Sequence, residues 1–422
     1  KHQIQTKLHM KALMLGWEFP PLHSGGLGVA TKNLALSLSR RGVPVCFALP
    51  NFVFTQIKQQ NGHEQEFEVA GCDSELTFEM IRIKSSIASP YVTSEQYADE
   101  VRTHGGKDAS GTLYGQNLMS EIERYAHEMD KLASERQFHL VHGHDWITFP
   151  AAVKVKQRQG TPFVAHVHAT EMDRTGGNPN QEIYDRERQG MEQADRIIAV
   201  SNYTKQLLQK HYGINGDKIA VVHNGAESVH NRIQNDFDRF KERKTVLFLG
   251  RVALQKGPDW FVKIARRVLD KERNVQFLIA GTGGMMPDVL KEIAHSGIGN
   301  HVIPLGFLDE HGREEAFRNT DVYIMPSVSE PFGLSAIEAA QRGIPVIMSK
   351  QSGAREVLGH SLTADFWDVD KMAHFILAAL HYRALHKTLS HKGRHEITHL
   401  SWDKQAEKMH GIYRDLHPAF HH

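Results

Sequence analysis

Twice along this chain a short apolar run of strand length ends at a glycine-bearing loop and gives way to a helical pattern. The first run is Lys11-Ala-Leu-Met-Leu-Gly16, followed by the loop Glu18-Phe-Pro-Pro-Leu-His-Ser-Gly-Gly-Leu-Gly28 and helical spacing through Val29, Leu34, Leu36 and Leu38. Arg40-Arg41-Gly42 stops that helix, and Val43–Leu49 supplies a second buried strand, which completes a βαβ unit. The pattern restarts at Thr245-Val-Leu-Phe-Leu-Gly250 and continues through Val275–Ala280, Val302–Leu305, Val322–Met325 and Val346–Met348. Such alternation predicts parallel sheets with helices on both faces. A chain of 422 residues exceeds one ordinary core, and two α/β domains of about 200 residues each fit it. The expected division is 1–234 and 235–400, with polar Asn231–Lys244 as linker. A last helix near Trp402–Leu416, within 401–422, is expected to pack back across both domains. Residues 55–115 read as an insertion over the first sheet, with β-like runs at Glu66–Val69 and Leu76–Ile83. A helix at 117–136 then leads into strand Phe138–His142, and strands follow at Thr161–His168, Asp195–Ser201 and Ile219–His223.

Composition narrows the partners. Fifty basic and 49 acidic side chains leave a net charge of +1, without the basic excess of a nucleic-acid binder. Only two cysteines occur, and Cys46 lies in an apolar run, so a disulfide scaffold is not expected and a reducing, cytoplasmic setting is. No stretch approaches the roughly 20 apolar residues that span a bilayer. Residues 1–9 and His421-His422 read as an extension or tag remnant.

In open α/β sheets, ligands bind beyond the carboxyl ends of the strands, and the unusual residues here fall at such points. Gly25-Gly26-Leu27-Gly28 lies between a strand and a helix, where backbone amides and the positive helix end can meet phosphate. His142-Gly-His144-Asp145-Trp146 and His166-Val-His168 place alternate histidines on one strand face. Four imidazoles with Asp145 suffice chemically for zinc, but spacing alone does not show convergence. The competing readings are a hydrogen-bonded core and a polar cleft floor for sugar hydroxyls. Arg251 and Lys256, in a loop bounded by Gly250 and Gly257, suit a diphosphate: a bidentate fork and a point charge. Most specific is Ser329-Glu330-Pro331-Phe-Gly333-Leu334-Ser335-Ala-Ile-Glu338. Its free N–H groups at Gly333, Leu334 and Ser335 form an anion-binding helix start. Ser335 and Glu338, three apart, share a face.

On these residues the chain resembles the family-4 retaining glycosyltransferases, and within them bacterial and archaeal glycogen synthases. The carriers are the E-x7-E pair Glu330 and Glu338, the Arg251/Lys256 pair, the glycine loop and the His144-Asp145-Trp146 segment. The resemblance implies the GT-B architecture, two Rossmann-like domains facing across a cleft. It implies catalytic roles for His168, Arg251, Lys256 and Glu330. Donor-binding roles fall to Gly25, Gly26, Phe307, Gly333, Leu334, Ser335 and Glu338, and acceptor-binding roles to His144, Asp145 and Trp146. It further implies a nucleotide-sugar donor such as UDP- or ADP-glucose, an α-glucan acceptor, no metal and no other cofactor. His23 stands where glycogen synthases carry a lysine. Alternatives within the same architecture are a cell-surface polysaccharide or lipid-linked acceptor, a pyridoxal-dependent glucan phosphorylase, and a nucleotide-sugar-binding regulator.

Three further features read as structural. Asp368-Val-Asp370 looks like a metal motif, but Asp370 is expected to N-cap the following helix. Gly281-Thr-Gly283-Gly284 fits a strand-to-helix turn, and Asn224-Gly225 a simple turn.

Overall fold

The structure is a computed structural model describing residues 11–20, 25–50, 67–70, 78–83, 116–227 and 243–418. Two sheets organise it. The first contains β1 (Ala12–Leu15), β2 (Val45–Pro50), β3 (Phe67–Ala70), β4 (Phe78–Ile83), β5 (Leu140–His144), β6 (Phe163–Val167), β7 (Arg196–Ala199) and β8 (Ile219–Val221). Their order is β3-β4-β2-β1-β5-β6-β7-β8, all parallel except β3 at the edge. The second contains β9 (Lys244–Leu249), β10 (Val275–Ala280), β11 (Val302–Gly306), β12 (Val322–Met325), β13 (Val346–Ser349) and β14 (Leu362–Ala364). It is wholly parallel, in the order β11-β10-β9-β12-β13-β14.

The central strands are apolar on both sides because each sheet is covered on both faces there. Leu13 and Leu15 share a core with Cys46, Ala48 and the helices Gln116–Glu135 and Phe149–Gln159. Ala12 and Met14, pointing oppositely, pack with Leu34 and Leu38 of the helix Gly26–Arg40. The second sheet repeats the device: Val246 and Phe248 pack with Phe261 and Ile264, and Leu247 with Ala336 and Ile337. The strand order reverses between β1 and β5 in one domain and between β9 and β12 in the other, which puts a ligand crevice at each reversal.

The helix Trp402–Leu416 belongs to the first domain's core, where Trp402, Ala406, Met409 and Tyr413 pack with Met14, Phe47 and Leu140. The chain therefore leaves the first domain once and returns to it. At the crossing, the Ala226 N–H donates to the Leu400 carbonyl at 2.7 Å. A Cβ on Gly225 would lie 2.5 Å from the Trp402 nitrogen. Gly225 thus serves a close chain approach, and no turn forms where one was expected.

Two expectations need correction. β3 and β4 extend the first sheet rather than lying over it, β4 by parallel pairing with β2; the remainder of 55–115 lies outside the described residues. Asp368, not Asp370, caps the helix Val369–His381, accepting the Lys371 N–H at 3.2 Å, while Asp370 pairs with Arg267 at 2.6 Å.

Candidate active site

In the second domain the reversal at β9 and β12 brings two loops into contact. After β9 the chain runs through Arg251 to Lys256 and turns at Gly257, whose φ is 66°. A Cβ there would stand 2.2 Å from the Pro326 carbonyl oxygen, so only glycine lets this loop meet the one after β12. Gly257→Ala is therefore expected to lower stability by at least about 2 kcal/mol, read as the denaturant midpoint; an unchanged midpoint would show that the loops are free to part. The Val328 N–H donates to the Gln255 carbonyl at 2.9 Å. Lys256 Nζ then reaches Glu330 Oε2 at 2.5 Å, and Ser327 Oγ donates to the same oxygen at 3.2 Å. Glu330 is buried, and its backbone is pinned on both sides, to the Gln351 carbonyl at 2.8 Å and from the Gly353 N–H at 2.9 Å.

The helix Leu334–Gln341 starts at Gly333, whose φ of 100° excludes other residues at low cost. Ser335 Oγ accepts from the Tyr323 hydroxyl at 2.6 Å. Glu338 accepts from Arg313 at 3.3 Å; burial pushes its carboxyl up, against the pull of Arg313 and Arg342. Phe307, beyond β11, is 76% exposed and open to a planar ligand. The glycines after β10 act on Arg251 from behind: Cβ atoms on Gly281 and Gly283 would strike the Gly250 and Val252 carbonyl oxygens at 2.0 and 2.3 Å. They let that turn support the Arg251 loop.

In the first domain Gly25 is the N-cap of the helix Gly26–Arg40, so Gly26 to Gly28 form its first turn. A Cβ on Gly26 would lie 3.7 Å from Leu334 Cδ1, so the two helix starts adjoin across the cleft. Glu18, buried at the end of β1, accepts the Gly25 N–H at 3.2 Å. Burial pushes its carboxyl up to about 7, against the Gly25 amide, Arg251 and the Gly28 amide, and with Asp145 adding to the rise.

At the ends of β5 and β6 four imidazoles lie together. His144 Nδ1 is 2.9 Å from His168 Nε2, His142 Nε2 is 3.2 Å from His166 Nδ1, and His142 Nδ1 is 2.6 Å from the Tyr413 hydroxyl. Nitrogens of His142, His144 and His166 fall within 4.8 Å of one another, the spacing of a candidate metal set. The ring planes oppose that use: His142 and His166 are stacked at 13°, His166 and His168 at 22°. A lone pair lies in its ring plane, so near-parallel stacked rings direct their nitrogens side by side rather than at one ion. Burial holds all four pKa values down, that of His168 at about 3. Asp145 fixes the cluster's edge by accepting the His168 and Ala169 N–H groups at 2.7 and 3.3 Å. It does so at φ 59°, the one non-glycine positive φ among the described residues.

Residues 229–396 match the glycosyl transferases group 1 family, and residues 87–228 match Glycosyltransferase Family 4. The chain belongs to the family-4 glycosyltransferases. It is 25% identical over 429 residues to an uncharacterized glycosyltransferase of Methanocaldococcus jannaschii, covering 96% of this chain and 98% of that one. It is 23% identical over 363 residues to the glycogen synthase of Mycobacterium tuberculosis, covering 83% and 80%. In fold it is similar to the sucrose-phosphate synthase of Thermosynechococcus elongatus, with a TM-score of 0.73, 17% identity and coverage of 96% and 99%. The GT-B architecture expected from the motifs is the architecture observed.

Within this transferase, Lys256, Glu330 and Gly333 are brought together, with Leu334 and Ser335 opening the helix beside them, Glu338 one turn along it against Arg313, Arg251 on the Lys256 loop, and Gly26, next to the N-cap Gly25, across from Leu334. His168 lies on the first domain's side, part-buried. None of the three expected acceptor residues is at a surface, Asp145 being 3% exposed. Trp146 is 1% exposed and packs in the core with Tyr125 and Phe149, and His144 is equally buried beneath His168. The segment turns sharply into the fold at Asp145, which carries its neighbours inward. His23 lies outside the described residues.

Three acidic residues were missed as site elements. Glu18 is one. Asp173 accepts from Ser329 Oγ at 2.5 Å, tying the first domain to the residue beside Glu330; its signal was the capping box Thr170-x-x-Asp173. Glu356 accepts the Asn202 and Tyr203 N–H groups at 2.9 and 2.8 Å, and His223 Nε2 lies 2.9 Å away. Burial raises its carboxyl, but the bonds from His223, Asn202 and Tyr203 outweigh that and hold it at about 2. Both carboxylates cross between domains, which short-range patterns do not encode.

Proposed function

We infer that the transferase moves a hexosyl unit, glucosyl on its likeness to glycogen synthases, from a nucleotide-diphosphate sugar to the non-reducing end of an α-1,4-glucan. Anomeric configuration is retained. The observation that carries this reading is the Lys256–Glu330 contact beside the Gly333–Ser335 helix start, opposite the Gly25–Gly28 turn. Cations and free amides converge there with a carboxylate able to accept from sugar hydroxyls.

Arg251 and Lys256 stabilise charge on the departing diphosphate, and the amides of Gly333 and Leu334 with Ser335 hold its distal phosphate. Glu330 binds the donor sugar, Glu338 the ribose hydroxyls, and Phe307 stacks on the base. His168 lines the acceptor side, and buried Asp145 holds its backbone N–H from behind. The bond from the anomeric carbon to the diphosphate oxygen breaks as the acceptor oxygen bonds to that carbon from the same face, and the acceptor proton passes to the diphosphate. Catalysis is then mainly electrostatic and positional, with no cofactor beyond the nucleotide sugar. Among the described residues no helix is long and apolar enough to cross a membrane. The glucan reading carries with it a cytoplasmic reaction.

The test is a thermal-shift and product assay with UDP-, ADP- and GDP-glucose, with and without maltooligosaccharide. Donor-dependent elongation is the expected result. Transfer only to a lipid-linked or surface-polysaccharide acceptor would replace the glucan reading, and tight donor binding without transfer or hydrolysis would replace catalysis by regulation.

A further inference from the structure

Glu18 stands in an unusual place. A helix N-terminus in a nucleotide-sugar site offers its amides to a phosphate, yet here a carboxyl from the end of β1 already takes one of them, the Gly25 N–H, at 3.2 Å. The Glu18 backbone is held as well, its carbonyl accepting from Thr31 Oγ1 at 3.4 Å within the same helix. Only 7% of the residue is exposed, so water cannot screen the group well. Two charges face it: Arg251 from the second domain, which favours the ionised form, and Asp145 from the end of β5, which opposes it. Arg251 and the glycine amides are the groups assigned above to the donor's phosphates.

We propose that Glu18 couples donor binding to the uptake of one proton, because its buried carboxyl occupies the Gly25 amide at the helix start facing the donor site, where a carboxylate charge opposes an entering diphosphate. The proposal rests on the donor reading given under Proposed function. A carboxylate and a diphosphate sharing these partners in a poorly hydrated cleft repel each other, and protonation removes the clash. The balance is simple: Glu18 carboxylate, one solvent proton and the donor give the complex with neutral Glu18. A protonated carboxyl keeps a carbonyl oxygen for the Gly25 amide and gains an O–H that can donate to a phosphate oxygen. The group is placed to titrate near neutrality, since burial pushes it up to about 7.

The sign follows from linkage. Below that value Glu18 is already neutral and affinity is flat; above it, each binding event must draw a proton, and Kd rises tenfold per pH unit. Between pH 6 and 8.5 the donor Kd is expected to rise about 30-fold. The nucleotide-sugar diphosphate is a diester and takes up no proton in that interval, so the slope belongs to the protein. Glu18→Gln keeps the shape and the accepting oxygen but is neutral at every pH.

The experiment is calorimetric titration of the full chain and of Glu18→Gln with UDP-, ADP- and GDP-glucose from pH 6 to 8.5, in two buffers of different ionisation enthalpy. The expected result is uptake of nearly one proton at pH 8 by the wild type and none by the variant. The variant's Kd should be flat and about 30-fold tighter than wild type at pH 8.5. A wild-type Kd independent of pH, or a slope that survives in Glu18→Gln, overturns the proposal and leaves the donor reading standing. Weaker binding by the variant at every pH also overturns it, because Glu18 would then be an ordinary ligand-holding carboxylate. Absence of binding by all three donors at pH 6, where Glu18 is neutral, overturns it together with the donor reading.

Discussion

Replacing Lys256 with alanine is expected to lower kcat by about 10²–10³, the cost of removing one well-placed electrostatic contact to developing charge. The estimate follows from position. Two unit charges about 4 Å apart at an effective dielectric near 20 interact by about 4 kcal/mol. That is close to a thousandfold in rate if the interaction strengthens as the diphosphate departs. Lys256 is held for this task by the turn Leu254–Lys256 and by Glu330 Oε2 at 2.5 Å. Its loss also leaves the buried Glu330 carboxylate with Ser327 as its remaining described side-chain partner, so some stability is lost as well. Lys256→Arg separates the effects: charge is retained but the point geometry is not, and kcat should fall less than in the alanine variant. Initial rates at saturating donor, with melting curves for each variant, make the comparison. An alanine variant that folds normally and turns over within threefold of wild type would remove Lys256 from the chemistry.

The meeting of the Lys256 and Glu330 loops was legible because its information is local. Lys256 lies six residues past Gly250, and Glu330 five past Met325. In a parallel α/β sheet a residue just beyond a strand's carboxyl end is committed to the crevice whatever surrounds it. The two sheets were legible for the same reason: runs such as Thr245–Gly250 are apolar without alternation only when both faces are covered. What the first domain does with His142-Gly-His144-Asp145-Trp146 was not local. One face of those histidines is closed by Tyr413, 271 residues away, on a helix that returns from the second domain. No nearby residue announces that closure, and a solvent-facing aromatic is spelled the same way as buried Trp146. Interdomain carboxylates are hidden likewise: Asp173 meets Ser329 across 156 positions, and Glu356 meets Asn202 across 154. Glu18 was visible as an acidic residue between Trp17 and Phe19, but its significance depends on Arg251 in the other domain.

Acidification from pH 6.5 to 5 is expected to destabilise the chain by about 2 kcal/mol, and the histidine cluster sets the sign. His142, His144, His166 and His168 are held neutral by burial, while in the unfolded chain each takes a proton near 6.5. Below 6.5 the unfolded state binds more protons at these sites, so stability falls with pH at up to about 1.4 kcal/mol per unit for each imidazole. Buried carboxyls pull the other way, Glu18 and Glu187 most strongly, with Asp173 and Glu338 also pushed up by burial. Glu18 and Glu187 are pushed up to about 7 by burial, against an unfolded value of 4.5. They protonate in the folded chain first and recover stability as pH falls through the same window. Four imidazoles against two strongly raised carboxyls, with Asp173 and Glu338 adding less, leaves a net difference of about one proton across most of the interval, hence the estimate. Glu356 does not contribute there. Its stabilisation is present above the unfolded value of 4.5 and is lost only as pH falls towards about 2. Urea midpoints at pH 6.5, 6.0, 5.5 and 5.0 measure the slope, and His166→Gln, which removes one imidazole, should reduce it by about one proton. A midpoint that stays level or rises on acidification would mean that these imidazoles accept protons in the folded chain, which requires water or an anion to reach the stacked rings.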